Sequence, residues 1–332
     1  MATVKDVAKE AGVSVATVSR VINKSPKASK HSIEVVSNAM QKLGYRPNAA
    51  ARALVNKSSD KIGVVLSDAS DPFFGSLVKA VDHIAQQHNK NLIVGNGYHN
   101  SESERRAIDM MIDNRCDAIV VHSKGLSDSE LIKFAEEVPE LVIINRRIPQ
   151  IIERCVFLDN KLGAFLATTY LLEQGHTHIA CFASNQSIED ASQRIAGYQE
   201  ALEEFGLDKH HEYVIPTDPD AAGGEQAMQK LLQSKHNVTA IVTYNDYVAA
   251  GALSVLHEEN ISVPDSMSLV GFDNGLIARY LNPQLTTIDY PIMEMAKHAT
   301  LLALAYKEKK PAPTFDFAPR VIPRNSVASL LK

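Results

Sequence analysis

The rhythm of apolar positions changes near residue 60, and that change divides the chain. Before it, apolar residues recur at helical spacing in three short segments. Val4, Val7, Ala8 and Ala11 form one stripe, with Thr3 placed to cap its first turn. Gly12 supplies a left-handed turn, and Ser14 is the N-cap of a second helix carrying Val15, Ala16, Thr17, Ser19 and Arg20. Val18, Val21 and Ile22 turn inward there. A third helix is predicted over 32–43, with Ile33, Val36, Ala39, Met40 and Leu43 inward and Gly44 as a stop. From Lys61 onward, continuous apolar strands alternate with amphipathic helices. Strands are predicted at 62–67, 92–95, 118–122 and 141–145, then at 156–158, 179–183, 240–244 and 268–272. Helices are predicted at about 74–88, 101–114, 161–174, 188–205, 223–233 and 246–258. Uninterrupted Val/Ile/Leu strands followed by helices are what buried parallel sheets require, and two such series in succession predict two doubly wound α/β lobes. The Pro-bearing stretch 146–153 is the predicted first crossing between them.

The second short helix leaves Val15, Ala16 and Arg20 on its outer face. Methyl groups suit thymine and a guanidinium can grip guanine bidentately, so this face suits a DNA major groove. An ordinary αα-hairpin is the alternative. Charge sharpens the picture. The first 57 residues carry ten Lys/Arg against Asp6, Glu10 and Glu34, a balance of +7, so the net charge of −5 leaves −12 on the remainder. A basic head on an acidic body suits a protein whose head alone touches phosphates, although charge by itself also fits a solvated face. Pro47 opens an Ala-rich segment to Leu54 that is too short for an isolated helix and reads as a linker. The polar run 56–60 marks the boundary. The predicted domains are therefore a head (1–46), a connecting segment (47–60) and a two-lobed body (61–332).

With 332 residues and 45% hydrophobic content the chain can bury a large core. No apolar run reaches membrane-spanning length and the N-terminus opens into a charged helix, which predicts a cytoplasmic protein without a membrane partner. Cys116, Cys155 and Cys181 lack metal spacing and are predicted to be reduced. Enzyme signals fail. Gly95-Asn96-Gly97 lacks the third glycine of a dinucleotide loop, and no nucleophile elbow, phosphate loop or zinc-binding His pair is present. His176 and His178 are predicted to lie in a solvated turn. No cofactor or metal is called for.

The run Val4-Lys5-Asp6-Val7-Ala8, continued by Gly12-Val13-Ser14 and Thr17-Val18-Ser19-Arg20-Val21-Ile22-Asn23, resembles the DNA-binding head of the lactose/galactose repressor family. The resemblance continues through Tyr45-Arg46-Pro47-Asn48-Ala49 and covers essentially the whole chain. Ser25-Pro26-Lys27-Ala28-Ser29, the segment from Gly95 to Asn100, the segment from Gly223 to Met228, and Tyr244-Asn245-Asp246 point to the galactose-responsive branch. The resemblance implies a helix-turn-helix head and a body shared with periplasmic sugar-binding proteins. It implies a homodimer on near-palindromic operator DNA and D-galactose as effector. It adds Asn23, Tyr45, Asn48 and Arg52 to the DNA-contacting residues. It also turns the 47–54 segment into a hinge helix whose Leu54 wedges into the minor groove. Three lobe crossings are implied, the later ones near 285–291, with the tail returning to the first lobe. Leu330-Leu331 without a heptad series implies a dimer lacking a tetramerising tail.

In open parallel sheets, ligands bind beyond the carboxyl ends of strands. Those ends carry Ser67-Asp68, Asn96, His122, Asn145, Ser184-Asn185, Asn245-Asp246 and Asp273-Asn274, a lining suited to a polyol. By resemblance Arg194 is the cleft arginine, working with Asn245 and Asp273 on sugar hydroxyls. Asn245 and Asp273 could alternatively serve only as helix caps. Asp71-Pro72-Phe73-Phe74-Gly75 resembles the family's aromatic corner, so Phe73 or Phe74 would cover a sugar face while the other packs in the core. Ser67, Asn145 and Tyr290 join by the same resemblance. A response to another sugar or a purine, and a solute-binding transport protein, are the competing readings.

Overall fold

The structure, a computed structural model, describes residues 2–23, 25–46, 58–208, 213–234, 236–310 and 317–331. In the head, α1 (Val4–Glu10), α2 (Val15–Ile22) and α3 (Lys30–Lys42) close on Val7, Ala8, Val18, Val36 and Ala39. Local chemistry sets these boundaries. The Thr3 side chain accepts from the Asp6 N–H while the Asp6 carboxylate accepts from the Thr3 N–H at 2.8 Å, a reciprocal cap. Ser14 Oγ accepts from the Thr17 N–H at 3.1 Å, and Gly12 turns the chain at φ +64°. The 47–54 segment, with Asn48, Arg52 and Leu54, lies outside the described residues.

The first lobe holds β1 (Lys61–Leu66), β2 (Asn91–Asn96), β3 (Ala118–Val121), β4 (Leu141–Ile144) and β5 (Cys155–Val156), all parallel in the order β2-β1-β3-β4-β5. α4 (Pro72–Gln87), α5 (Ser101–Asp113) and α6 (Asp128–Glu137) connect them. The second lobe holds β6 (Ile179–Ser184), β7 (Val214–Thr217), β8 (Ala240–Thr243), β9 (Ser268–Asp273), β10 (Thr286–Asp289) and β11 (Arg320–Ile322). Their order is β11-β10-β9-β8-β6-β7, parallel except where β11 meets β10. α7 (Asn160–Glu173), α8 (Glu189–Glu204), α9 (Ala221–Ser234), α10 (Asp246–Glu258) and α11 (Leu276–Tyr280) belong to this lobe. α12 (Ile292–Glu308) returns to the first lobe and packs on α4, β3 and β4. β1, β3 and β4 are buried on both faces because helices cover each side, which is why their sequences run apolar without alternation.

Four expectations need correction. The stretch 146–153 does not cross between lobes. Ile148 and Ile151 are buried in the first lobe's core, so Pro149–Arg154 folds back as a 3₁₀ turn. The crossing follows β5, at 157–159, and β5 itself is the edge of the first sheet rather than the start of the second. The tail does not stay with the first lobe. After α12 the chain returns to the second, where β11 pairs with β10 and the Leu330 N–H donates to the Gln174 carbonyl at 2.7 Å. His176 is no solvated turn residue. It is 1% exposed, with Nδ1 2.9 Å from Thr239 Oγ1 and Nε2 3.1 Å from the Ala328 carbonyl, and so staples that tail to its lobe.

Candidate functional site

The head presents the outer face of α2. Val15, Ala16, Ser19 and Arg20 are exposed there, opposite fully buried Val18. Thr17 is half-buried, its hydroxyl 3.0 Å from Ser14 Oγ, so part of its hydrogen-bonding capacity serves the cap. Asn23 Nδ2 donates to Ser19 Oγ at 3.4 Å, while its Oδ1 is buried without a partner. Tyr45 packs half-buried against the head's core.

A cavity of about 430 Å³ opens between the lobes, at the carboxyl ends of both sheets. Ser67, Phe73, Phe74, Asn145, Arg194, Asn245 and Asp273 all line it. Tyr290 does not. It sits behind the wall, 2% exposed, its ring edge-on to Phe73 and its hydroxyl donating to Asn145 Oδ1. Phe74 is the buried member of the aromatic pair and stands edge-on to His122, leaving Phe73 the more accessible ring.

Arg194 is held on every side. Its guanidinium carbon lies 3.6 Å from the Phe272 ring centroid and 4.4 Å from that of Tyr244. Nε donates to Asn160 Oδ1 at 3.0 Å, one terminal nitrogen donates to the Tyr244 carbonyl, and the other lies 3.9 Å from Asp273 Oδ1. One turn further along α8, a Cβ on Gly197 would sit 2.1 Å from the Lys161 carbonyl, so only glycine lets α7 and α8 approach this closely. Burial pushes the Asp273 carboxyl well above its ordinary pKa, against the pull of Arg194. Asp273 also holds φ +105°, and Tyr98, His99 and Asn145 in the same lining have φ between +52° and +61°. Backbone strain collected at one cleft is the mark of a site whose geometry serves something other than stability. Asn245 is committed at both ends: Oδ1 accepts from the Val248 N–H at 2.9 Å and Nδ2 donates to the Pro219 carbonyl at 2.8 Å. The capping alternative therefore describes its contacts in this state.

The decisive residues that sequence reasoning missed are Lys124 and Asp190. Lys124 Nζ meets Asp190 Oδ1 at 2.5 Å and the Asn145 carbonyl at 2.5 Å, joining first lobe to second with side chains 2% and 7% exposed. Buried Glu104 organises the turn that presents Lys124, accepting from Ser123 Oγ and from the N–H groups of Lys124, Gly125 and Leu126. No spacing rule links positions 124 and 190; a lone Lys two residues after the strand-end His122 was the only available signal. Asn145 fixes a tautomer beside this pair. Because its oxygen accepts from Tyr290, its amide donates to Asp190 Oδ2 and faces His122 Nε2 at 3.3 Å. His122 Nε2 is then the acceptor, and burial holds its pKa well below the ordinary value.

Residues 3–48 match the family described as bacterial regulatory proteins, lacI family, and residues 59–300 match the periplasmic binding proteins and sugar binding domain of LacI family. The chain belongs to the LacI family. The HTH-type transcriptional regulator GalR of Escherichia coli (strain K12) is 49% identical over 331 residues, 99% of this chain and 96% of that protein. GalS of Salmonella typhimurium (strain LT2) is 49% identical over 330 residues, 99% of this chain and 97% of that one. The solved Lac repressor dimer, bound to operator and the anti-inducer ONPF, shares the fold with a TM-score of 0.86 at 24% identity, covering 98% of this chain and 99% of that one. As a LacI-family member the chain is a DNA-binding transcription regulator and not an enzyme. Among the described residues, no helix is long and apolar enough to cross a membrane.

Proposed function

We propose that the protein is a homodimeric repressor of sugar-utilisation genes, released from its operator when D-galactose binds between the lobes. The observation that carries this reading is the cleft, whose polar strand ends converge from both sheets. Its lining has six Asp side chains (Asp68, Asp71, Asp190, Asp218, Asp220 and Asp273), of which burial pushes Asp273 toward the neutral form, against two cations, Lys124 and Arg194. Such a field repels anionic ligands, including sugar phosphates, and favours a neutral polyol whose hydroxyls can both donate and accept. The 49% identity to GalR and GalS supports galactose over other neutral sugars.

In this reading, residues 1–46 read DNA through Val15, Ala16, Thr17, Ser19, Arg20 and Asn23, with Tyr45 bracing the head. Asn48, Arg52 and Leu54 act in the 47–60 connection, Leu54 as a minor-groove wedge. Residues 61–332 bind sugar and dimerise. Arg194 and Asp273 orient hydroxyls, Phe73 covers an apolar sugar face, and Ser67, Asn145 and Asn245 supply further polar contacts. Tyr290 orients Asn145 from behind. Sugar that prefers one lobe arrangement shifts the dimer away from the operator-bound state, a coupling of about 1–3 kcal/mol in typical allosteric proteins.

Reciprocity supplies the test. Operator must weaken galactose binding by the factor with which galactose weakens operator binding. Calorimetric titration with and without saturating operator should show weaker sugar affinity on DNA, and Asp273→Ala should keep operator affinity but resist release. Equal affinities would refute the inducer role, and tighter binding on DNA would make the sugar a co-repressor.

A further inference from the structure

At the end of the first lobe opposite the cleft, a buried carboxylate grips the chain where it enters the body. Asp117 immediately precedes β3, and its side chain is 2% exposed. Its Oδ2 accepts from Ser58 Oγ at 2.5 Å, from the Asp60 N–H at 3.2 Å and from Lys90 Nζ at 2.6 Å. Its Oδ1 accepts from the Ser59 N–H at 3.2 Å, with Lys307 Nζ 3.9 Å away. Lys90 also reaches Ser58 Oγ at 3.4 Å. Asp60 turns through φ +55°, and its carbonyl accepts from the Asn91 N–H at 2.8 Å.

This carboxylate is not needed to build the sheet. The Asp117 backbone N–H already donates to the Lys61 carbonyl at 2.8 Å, and any residue there would do the same. What the side chain adds is a socket for residues 58–60, which follow directly on the segment leading from the head. The donors come from separate places: the entering chain, the loop before β2, and the last turn of α12. That helix connects the two ends of the lobe. It starts two residues after Tyr290, the partner of Asn145 behind the cleft, and its 17 residues span about 25 Å. Lys307 in its last turn is also 3.1 Å from Glu140.

We propose that Asp117 is a positioning residue for DNA binding: its carboxylate fixes the point and direction in which the chain leaves the first lobe toward the head, and so helps set operator affinity. The inference rests on the reading of the protein as an operator-binding repressor. Asn at this position keeps the shape and one acceptor, but turns an amide toward the Lys90 ammonium and removes the charge that holds both lysines. Ser58→Ala removes one donor from a partly exposed residue without stranding a charge.

The experiment uses the full-length protein and an operator duplex selected by that protein from random-sequence DNA. Operator affinity is read by anisotropy, galactose affinity by calorimetry without DNA, and body stability by urea unfolding. Asp117→Asn should weaken operator binding by roughly tenfold or more, and Ser58→Ala by roughly threefold, while galactose affinity stays within about twofold of wild type. Unchanged operator affinity in both variants, or operator and galactose affinity lost in parallel with stability, would overturn the proposal. Wild-type protein that binds operator but ignores galactose would refute the effector reading alone, because the operator comparison decides the role of Asp117 without sugar.

Discussion

Breaking the Lys124–Asp190 pair should cost more than removing it. At 2.5 Å and an effective dielectric of about 20, the direct attraction is roughly 6–7 kcal/mol, set against desolvating two ions that are nearly inaccessible. Lys124→Met leaves Asp190 buried with one amide donor from Asn145, and should cost about 3–5 kcal/mol. In the double variant Lys124→Met/Asp190→Asn no charge is stranded and the new amide can bond Asn145, so most of that loss should return. A double-mutant cycle from urea unfolding should give a coupling of about 2–4 kcal/mol. Tyrosine emission is the natural probe, since the chain has ten tyrosines and no tryptophan. A coupling below about 0.5 kcal/mol would mean that water reaches the pair, and the argument from burial would fail.

Arg20→Ala should cost about 1–3 kcal/mol on the operator and relax discrimination at one base pair per half-site; full operator preference in a competition gel shift would remove α2 from base reading. Asp246 predicts a pH dependence. Burial raises its carboxyl from 3.8 to about 7, opposed by donors from Thr287 and Gly275. The folded state then keeps a proton that the unfolded state releases, so stability falls as pH rises from about 4 through about 7. Asp246→Asn mimics the protonated form. Its unfolding free energy should exceed that of wild type by at most roughly 4 kcal/mol at about pH 8, with little difference at about pH 4. An unchanged pH slope would contradict the assignment.

How far the sequence could be read depended on how local each cause was. Thr3, Ser14 and Gly12 act within one turn of the chain, and each does in the structure what its chemistry predicts. The central strands β1, β3, β4, β6, β8 and β9 were visible because burial on two faces demands unbroken apolar runs. α12 was invisible to periodicity: its buried positions include Met295, Ala296, His298, Ala299, Thr300, Leu302, Ala303 and Leu304, which leaves no polar face to set a period. β7, β10 and β11 are three or four residues long and take their identity from neighbours elsewhere in the sheet. Six cleft-lining side chains, Ser67, Asp68, His122, Asn145, Asn245 and Asp273, were legible because strand ends in parallel sheets point there by topology, whereas Arg194, Phe73 and Phe74 were placed by the family resemblance. The Lys124–Asp190 and His176–Ala328 contacts were not, since each joins positions far apart in the chain that only the finished fold brings together.

The return of α12 to the first lobe also governs the order in which the protein can be made. Met295, Ala296, Ala299, Leu302 and Ala303 share a core with Ile62, Val64, Val120 and Val142. Those strands are synthesised long before the helix that covers them, so on the ribosome the first lobe waits with an open apolar face until residue 308 has emerged. The second lobe likewise waits for β11. The head needs nothing beyond its own three helices for its core, and can be complete while both lobes are unfinished. A nascent or prematurely ended chain would thus carry a DNA reader before it carried the means of releasing it.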